Sequence, residues 1–116
     1  MIDLAINISE QKNWQVITLK GELDDYQASK LTQTFNQLID DRHANRIILN
    51  LDEVSFVDSV GLGTIAIAGK KLYEKTGHLH IVSSQNKITK MVTMSGIVSA
   101  TKKTIQVFET FEDAMS

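Results

Sequence analysis

The sequence predicts an α/β domain whose sheet is mixed but mostly parallel and opens with an N-terminal β-hairpin. Two segments near the N-terminus show the two-residue alternation of strands, and the rest of the chain alternates short apolar runs with apolar stripes at helical spacing. The resulting order, β-β-α-β-α-β-α-β-α, predicts parallel later strands joined by right-handed crossovers. At 116 residues, with 42% hydrophobic and 22% charged content, the chain fits a single domain over residues 1–116.

The predicted hairpin comprises the first two strands. In the first strand, apolar residues alternate with polar or small ones, and they are Ile2, Leu4, Ile6 and Ile8. A polar turn at residues 9–13 follows, and a second alternating segment runs from Trp14 to Leu23. The clean alternation of the first strand indicates that part of the sheet faces water on one side.

The middle of the chain predicts a helix followed by a buried strand. Asp24 with Gln27 resembles a capping box, and an apolar stripe then continues to about residue 40. The nearly continuous apolar run at residues 46–51 is typical of a central strand covered on both faces. Three more residues are expected to return the chain to the core, namely Val54, Phe56 and Val57.

The C-terminal half predicts three further helical segments and two strands. A helix starts at Asp58-Ser59 and stops at Gly77, and a strand carries Leu79, Ile81 and Val82. The remaining elements are a helix over residues 86–95 closed by Gly96, a strand over residues 104–108, and a final turn capped by Thr110 with Asp113. Met91, Met94 and Ile97 fit either the core or an apolar surface patch.

Composition excludes several classes of function. The formal net charge of −2 provides no basic footprint for nucleic acid, and the absence of cysteine excludes disulfide and thiol chemistry. No apolar run reaches the roughly 20 residues of a membrane helix, and residues 1–14 do not have the pattern of a signal peptide. We therefore expect a cytoplasmic protein with no direct nucleic acid or membrane partner. His78 and His80 share one strand face, but without a third ligand they are expected to face solvent and bind no metal.

The segment Asp58-Ser59-Val60-Gly61-Leu62-Gly63 is the candidate functional site. The unpaired N–H groups at a helix start attract a capping hydroxyl and equally attract a phosphate. Gly61 and Gly63 remove side chains from the first turn, although each glycine costs up to about 1 kcal/mol relative to alanine in a helix. Local chemistry leaves two interpretations open: Ser59 is a plain helix cap beside tightly packed glycines, or Ser59 is a regulatory site.

From residue 16 to residue 96 the chain resembles a STAS domain of the bacterial anti-anti-sigma factor family. The matching pieces are Leu19-Lys20-Gly21-Glu22-Leu23-Asp24, Ile48-Leu49-Asn50-Leu51 and Phe56-Val57-Asp58-Ser59-Val60-Gly61-Leu62-Gly63. A weaker match covers residues 91–96, and the spacing between the pieces also agrees. The resemblance implies a single STAS domain that is no enzyme and has no cofactor.

The resemblance also implies a phosphorylation switch. In that family an anti-sigma factor that is also an ATP-dependent serine kinase phosphorylates the serine after the aspartate, and a metal-dependent serine phosphatase reverses the reaction. This assigns the phosphorylation site to Ser59, and Val60 departs from members that carry a second hydroxyl there. The implied partner-binding residues are Asp24, Asp58, Ser59, Val60, Gly61, Leu62 and Gly63. The unphosphorylated form, a monomer or weak dimer, is expected to sequester the anti-sigma factor and free a sigma factor or another client.

Two alternatives remain. A STAS domain can be an unphosphorylated scaffold subunit of a signalling or lipid-transport assembly, although the Asp58-Ser59 pair and the single-domain length favour the switch. A phospho-aspartate receiver would be phosphorylated on Asp58, with the Asp24-Asp25 pair supplying a metal site. Topology argues against the receiver, because its acidic pair should follow the first strand rather than a hairpin. A hydrolase serine is also disfavoured, because Val57 replaces the first glycine of a Gly-x-Ser-x-Gly elbow.

Overall fold

The sheet has five strands, and its topology confirms the predicted mixed arrangement. The computed structural model describes residues 3–116, so Ile2 of the first predicted strand lies outside the described residues. The strands are β1 (Ala5–Gln11), β2 (Trp14–Leu23), β3 (Arg46–Val57), β4 (His78–Val82) and β5 (Ile105–Phe108). They are ordered β1-β2-β3-β4-β5, with β1 antiparallel to β2 and the other neighbours parallel.

The helices within residues 3–116 include one that the sequence did not predict. They are α1 (Ala28–Asn36), which continues as a π-helical turn (Gln37–Asp41), α2 (Ser59–Glu74), α3 (Asn86–Met94), α4 (Ile97–Ala100) and α5 (Phe111–Met115). The predicted order lacked α4, because its four residues are too few to establish a helical period. Thr110 caps α5 as predicted, since its side chain accepts from the Asp113 N–H at 3.1 Å. None of the helices in the described chain is long and apolar enough to cross a membrane.

The main core lies between the sheet and helices α1 to α4. In β3, Ile47, Leu49 and Leu51 are fully buried in this core, while Ile48 is fully buried in a second cluster on the opposite face with Trp14. The predicted central strand covered on both faces is therefore confirmed. Right-handed crossovers between parallel strands account for the location of these four helices on one face.

On the opposite face of the sheet, α5 packs over the smaller cluster and accepts hydrogen bonds from two side chains of the sheet. The Trp14 Nε1–H donates to the Met115 carbonyl oxygen at 3.3 Å, and the His80 Nδ1–H donates to the Ala114 carbonyl oxygen at 2.7 Å. His80 is 7% exposed, and its ring centroid lies 4.5 Å from that of Trp14 and 4.7 Å from that of Phe108. The two side chains thus satisfy carbonyl groups at the C-terminal end of α5, which have no partner within the helix.

The expectation that both histidines face solvent is wrong for His80. Its burial lowers the pKa, and the positive charges of nearby His78 and Arg46 act in the same direction, while the hydrogen bond to the Ala114 carbonyl opposes them. His78 is exposed as expected. Within residues 3–116, no group of three or more His, Cys, Asp or Glu side chains is arranged to hold a metal ion.

One further side chain, Phe56, differs from expectation, and the structure places the three apolar residues for which core and surface were both left open. Strand β3 extends to Val57, and in its last part Val54 and Val57 are buried as predicted, but Phe56 is 41% exposed. Met94 is 82% exposed at the end of α3, whereas Ile97 is buried and Met91 packs partly against the core. The apolar residues of this region therefore divide between core and surface.

Candidate partner-binding site

Asp58, not Ser59, caps helix α2. Asp58 has extended backbone angles (φ −100°, ψ −177°), and its Oδ1 accepts from the Gly61 N–H at 2.8 Å. This is the usual N-cap contact, in which a side-chain oxygen satisfies an unpaired donor of the first turn. The interpretation of Ser59 as a plain helix cap is therefore wrong. The predicted helix start at Asp58-Ser59 is confirmed, with Ser59 as the first helical residue.

The second oxygen of Asp58 holds the turn that follows β2. Its Oδ2 accepts from the Asp25 N–H at 2.9 Å, and the Asp58 N–H donates to the Leu23 carbonyl oxygen at 3.2 Å. One carboxylate thus joins the end of β2 to the start of α2. The two segments that the sequence predicted as partner-binding are brought together at the same edge of the sheet.

Asp24 organises the turn before α1. Its Oδ1 accepts from the Gln27 N–H at 3.0 Å, and its carbonyl oxygen accepts from the Ala28 N–H at 2.9 Å. The predicted capping box does not start α1, because the N-cap residue is Gln27, which makes no side-chain capping bond. The Gln27 side chain donates to Asp3 Oδ1 at 3.2 Å instead of returning to Asp24. Asp24 is partly exposed, so its side chain is accessible to a partner.

Ser59 is left with an available hydroxyl. The residue is exposed, and among residues 3–116 its hydroxyl has no hydrogen-bond partner. The backbone N–H groups of Ser59 and Val60 are likewise unpaired within the described chain, as expected for the first turn of a helix. The site therefore combines a nucleophilic hydroxyl with two donors that can bind an anion attached to it.

The two glycines of the first turn have different surroundings. A Cβ atom at Gly61 would lie 2.7 Å from the Leu23 carbonyl oxygen and 2.8 Å from Leu23 Cγ, so glycine is needed for close packing on β2. A Cβ atom at Gly63 would meet no atom within 4 Å. Packing explains Gly61, but nothing within the described chain explains Gly63.

Exposed apolar side chains surround the site, and sequence reasoning missed two of them. Val60 is 49% exposed, Ile67 is 64% exposed and Tyr26 is 75% exposed. On α2, one side of the helix carries Val60, Gly63 and Ile67. Tyr26 is the residue after Asp25, whose backbone N–H donates to the Asp58 carboxylate. Ile67 lies outside the face of α2 that is buried, which includes Thr64, Ile65 and Ala68. Leu62, by contrast, is partly buried and packs against the core. Clustered exposed apolar residues are typical of a protein-binding surface.

Comparison with known families identifies the fold. The family model of the STAS domain matches residues 5–114. The chain belongs to the STAS-domain family. This membership, together with the engagement of both Asp58 oxygens by backbone N–H groups, overturns the receiver alternative.

Two similar relatives are named as antagonists of anti-sigma factors. The chain is 26% identical over 96 residues to the "Anti-sigma F factor antagonist" of Paenibacillus polymyxa, which covers 83% of this chain and 82% of the relative. It is 27% identical over 96 residues to the "Anti-sigma-B factor antagonist" of Staphylococcus aureus, covering 83% and 88%. Antagonists of this kind act by binding a protein, which agrees with the expectation that the STAS chain is no enzyme.

Solved structures share the fold over nearly the whole chain. An anti-sigma factor antagonist from Mycobacterium paratuberculosis superposes with a TM-score of 0.84 at 22% identity, covering 97% of this chain and 92% of that one. The Bacillus cell fate determinant SpoIIAA in its phosphorylated form superposes with a TM-score of 0.72 at 23% identity, covering 96% of each chain.

Proposed function

We propose that this STAS domain is an anti-sigma factor antagonist whose binding is switched by phosphorylation of Ser59. The names of its relatives support the antagonist role. The observation that carries the switch is the capping of α2 by Asp58, which leaves the adjacent Ser59 hydroxyl exposed and unpaired. A serine that capped the helix would have to break a stabilising hydrogen bond before it could be modified, whereas Ser59 does not.

In this proposal the unphosphorylated chain sequesters an anti-sigma factor that is also a serine kinase, and so frees a sigma factor or another client. The binding surface comprises Asp24 and the first turn of α2, from Asp58 to Gly63. The exposed Val60 side chain supplies apolar contact area, and the uncovered Gly63 lets a partner approach the helix backbone. We expect a single functional domain over residues 1–116, in the cytoplasm, as a monomer or weak dimer.

Phosphorylation acts on this surface through charge. A phosphate on Ser59 adds about −1.5 to −2 charge at pH 7. The unpaired N–H groups of the helix start stabilise that charge by about 0.3–1 kcal/mol at an exposed site, and the neighbouring Asp58 carboxylate opposes it. In the complex the phosphate must also be desolvated, and a loss of about 3 kcal/mol weakens binding more than a hundredfold. A metal-dependent serine phosphatase would restore the binding form.

The test combines intact-mass analysis with calorimetry. Incubation with the partner kinase and ATP should add one phosphate to the wild type and to a Ser99→Ala control, which alters an exposed serine on α4. It should add none to Ser59→Ala. Ser59→Ala should bind the partner as tightly as the unphosphorylated wild type, and Ser59→Asp should bind it poorly. Equal affinities for all variants, with no phosphate on Ser59, would refute the switch and favour the alternative of an unphosphorylated STAS scaffold in a signalling or lipid-transport assembly.

A further inference from the structure

A lysine-rimmed groove separates α2 from α4. It has a volume of about 380 Å³ and is lined by Ala66, Lys70, Tyr73, Ile97, Ala100 and Thr101. This volume lies in the lower part of the range typical of small-molecule sites. Ala66 and Ala100 are small, so their methyl groups leave space that longer side chains would fill. Tyr73 is 41% exposed and offers a ring face at the wall.

The floor of the groove offers a ligand no free polar group, because its one polar side chain, Thr101, is already hydrogen-bonded. Thr101 is its only hydroxyl residue apart from Tyr73, and the Thr101 Oγ1–H donates to the Ile97 carbonyl oxygen at 2.7 Å. Thr101 Oγ1 in turn accepts from the Ile105 N–H at 3.1 Å, so the hydrogen-bonding capacity of this hydroxyl is used within the fold. A ligand in the groove would therefore contact mainly carbon atoms.

The rim of the groove is positively charged. Lys70 lines it directly, and Lys102 Nζ lies 5.8 Å from the centroid of the Tyr73 ring, which forms one wall. No Asp or Glu is among the lining residues. The two walls carry a net positive charge, because α2 contains two lysines and one glutamate (Glu74) and residues 97–104 contain two lysines and no carboxylate, although the chain as a whole has a net charge of −2.

We propose that the lysine-rimmed groove binds a single-chain alkyl carboxylate, that is, a fatty-acid anion. The alkyl chain would lie on the floor between Ala66 and Ala100 and against the Tyr73 ring. The carboxylate would pair with the ammonium groups of Lys70 and Lys102, whose long side chains can follow the ligand to the solvent boundary. The α2 residues that line the groove lie at least seven positions beyond Ser59, and the binding proposed here does not depend on phosphorylation.

Calorimetry of the full chain with sodium dodecanoate, kept below its critical micelle concentration, tests this proposal. We expect one saturable site, with affinity falling about fourfold for each methylene removed from the buried part of the chain. Dodecyltrimethylammonium, which has the same chain length and the opposite charge, should bind at least tenfold more weakly. Absence of saturable dodecanoate binding, or equal binding of the two probes, would overturn the proposal.

Variants locate the site. The double variant Lys70→Glu/Lys102→Glu should bind dodecanoate at least tenfold more weakly, while the matched control Lys87→Glu/Lys90→Glu makes the same charge change on α3 and should bind as the wild type does. Ala100→Leu, at an exposed position, should fill the groove and abolish binding without lowering the melting temperature. An equal loss of affinity in both double variants, or full binding by Ala100→Leu, would contradict the assignment to this groove.

Discussion

Alanine substitutions at Gly61 and Gly63 should have opposite effects on stability, although the two residues lie in the same helical turn. At Gly63 the added methyl group meets no atom within 4 Å, so only the helix propensity changes. At Gly61 the methyl group would lie 2.7 Å from the Leu23 carbonyl oxygen, which belongs to the rigid backbone of β2. The substitution there forces α2 away from the sheet.

The magnitudes follow from propensity and packing. Alanine is favoured over glycine in a helix by about 1 kcal/mol. For 116 residues the entropy of unfolding is about 0.24 kcal/mol/K, so Gly63→Ala should raise the melting temperature by about 4 °C. Gly61→Ala has the same gain in propensity but incurs an overpacking cost of about 1–3 kcal/mol, and its melting temperature should fall by up to about 8 °C.

Thermal unfolding followed by circular dichroism measures both changes, and calorimetry with the anti-sigma partner on the same samples measures binding. We expect Gly63→Ala to be more stable than the wild type and yet to bind more weakly, because its methyl group projects into the proposed interface. A destabilised Gly63→Ala, or a Gly61→Ala that is stabilised as much as Gly63→Ala, would refute the packing argument. Unchanged partner affinity in Gly63→Ala would remove Gly63 from the binding surface.

Two other predictions concern Asp58 and His80. Asp58→Ala should lower stability by about 1–2 kcal/mol in thermal unfolding through loss of the cap, whereas Asp58→Asn should lose less because an amide oxygen still accepts from the Gly61 N–H; equal losses would contradict the capping role. Because the folded-state pKa of His80 is lowered, the unfolded chain takes up the proton first as the pH falls, and stability should decline below about pH 6.5 by up to about 1.4 kcal/mol per pH unit. Trp14 is the only tryptophan, so its fluorescence in denaturant titrations measures this loss of stability. The pH dependence should disappear in His80→Gln and persist in the exposed control His78→Gln. The same pH dependence in both variants would show that other groups cause it.

The choice of the capping residue could not be predicted from the sequence. Asp58 and Ser59 are adjacent, and both are preferred N-cap residues. The choice is made by tertiary contacts, because the bonds to Leu23 and Asp25 keep Asp58 extended and start the helix at Ser59, one residue earlier than a Ser59 cap would. The location of the site at the end of β3 was predictable, since there the apolar run changes to a helical period.

Other departures also have causes distant in the sequence. The pairing of β2 with β3 shifts register between Thr18 and Lys20 and again between Gly21 and Glu22. Such irregularities change which face a residue occupies, and this explains why Phe56 is exposed although the apolar pattern predicted burial. His80 is buried because α5, from the last residues of the chain, covers its side of the sheet, and a single strand cannot indicate which face a distant helix will cover.

The two hydrogen bonds that the Asp58 carboxylate accepts affect the kinetics of the proposed switch. Because one carboxylate fixes both the turn after β2 and the first turn of α2, the two halves of the surface are already arranged when a partner arrives. A surface that needs no loop ordering avoids a large part of the entropic cost of association. Encounter rates should then differ little between the two forms of the protein, and the phosphate should act mainly by shortening the lifetime of the complex.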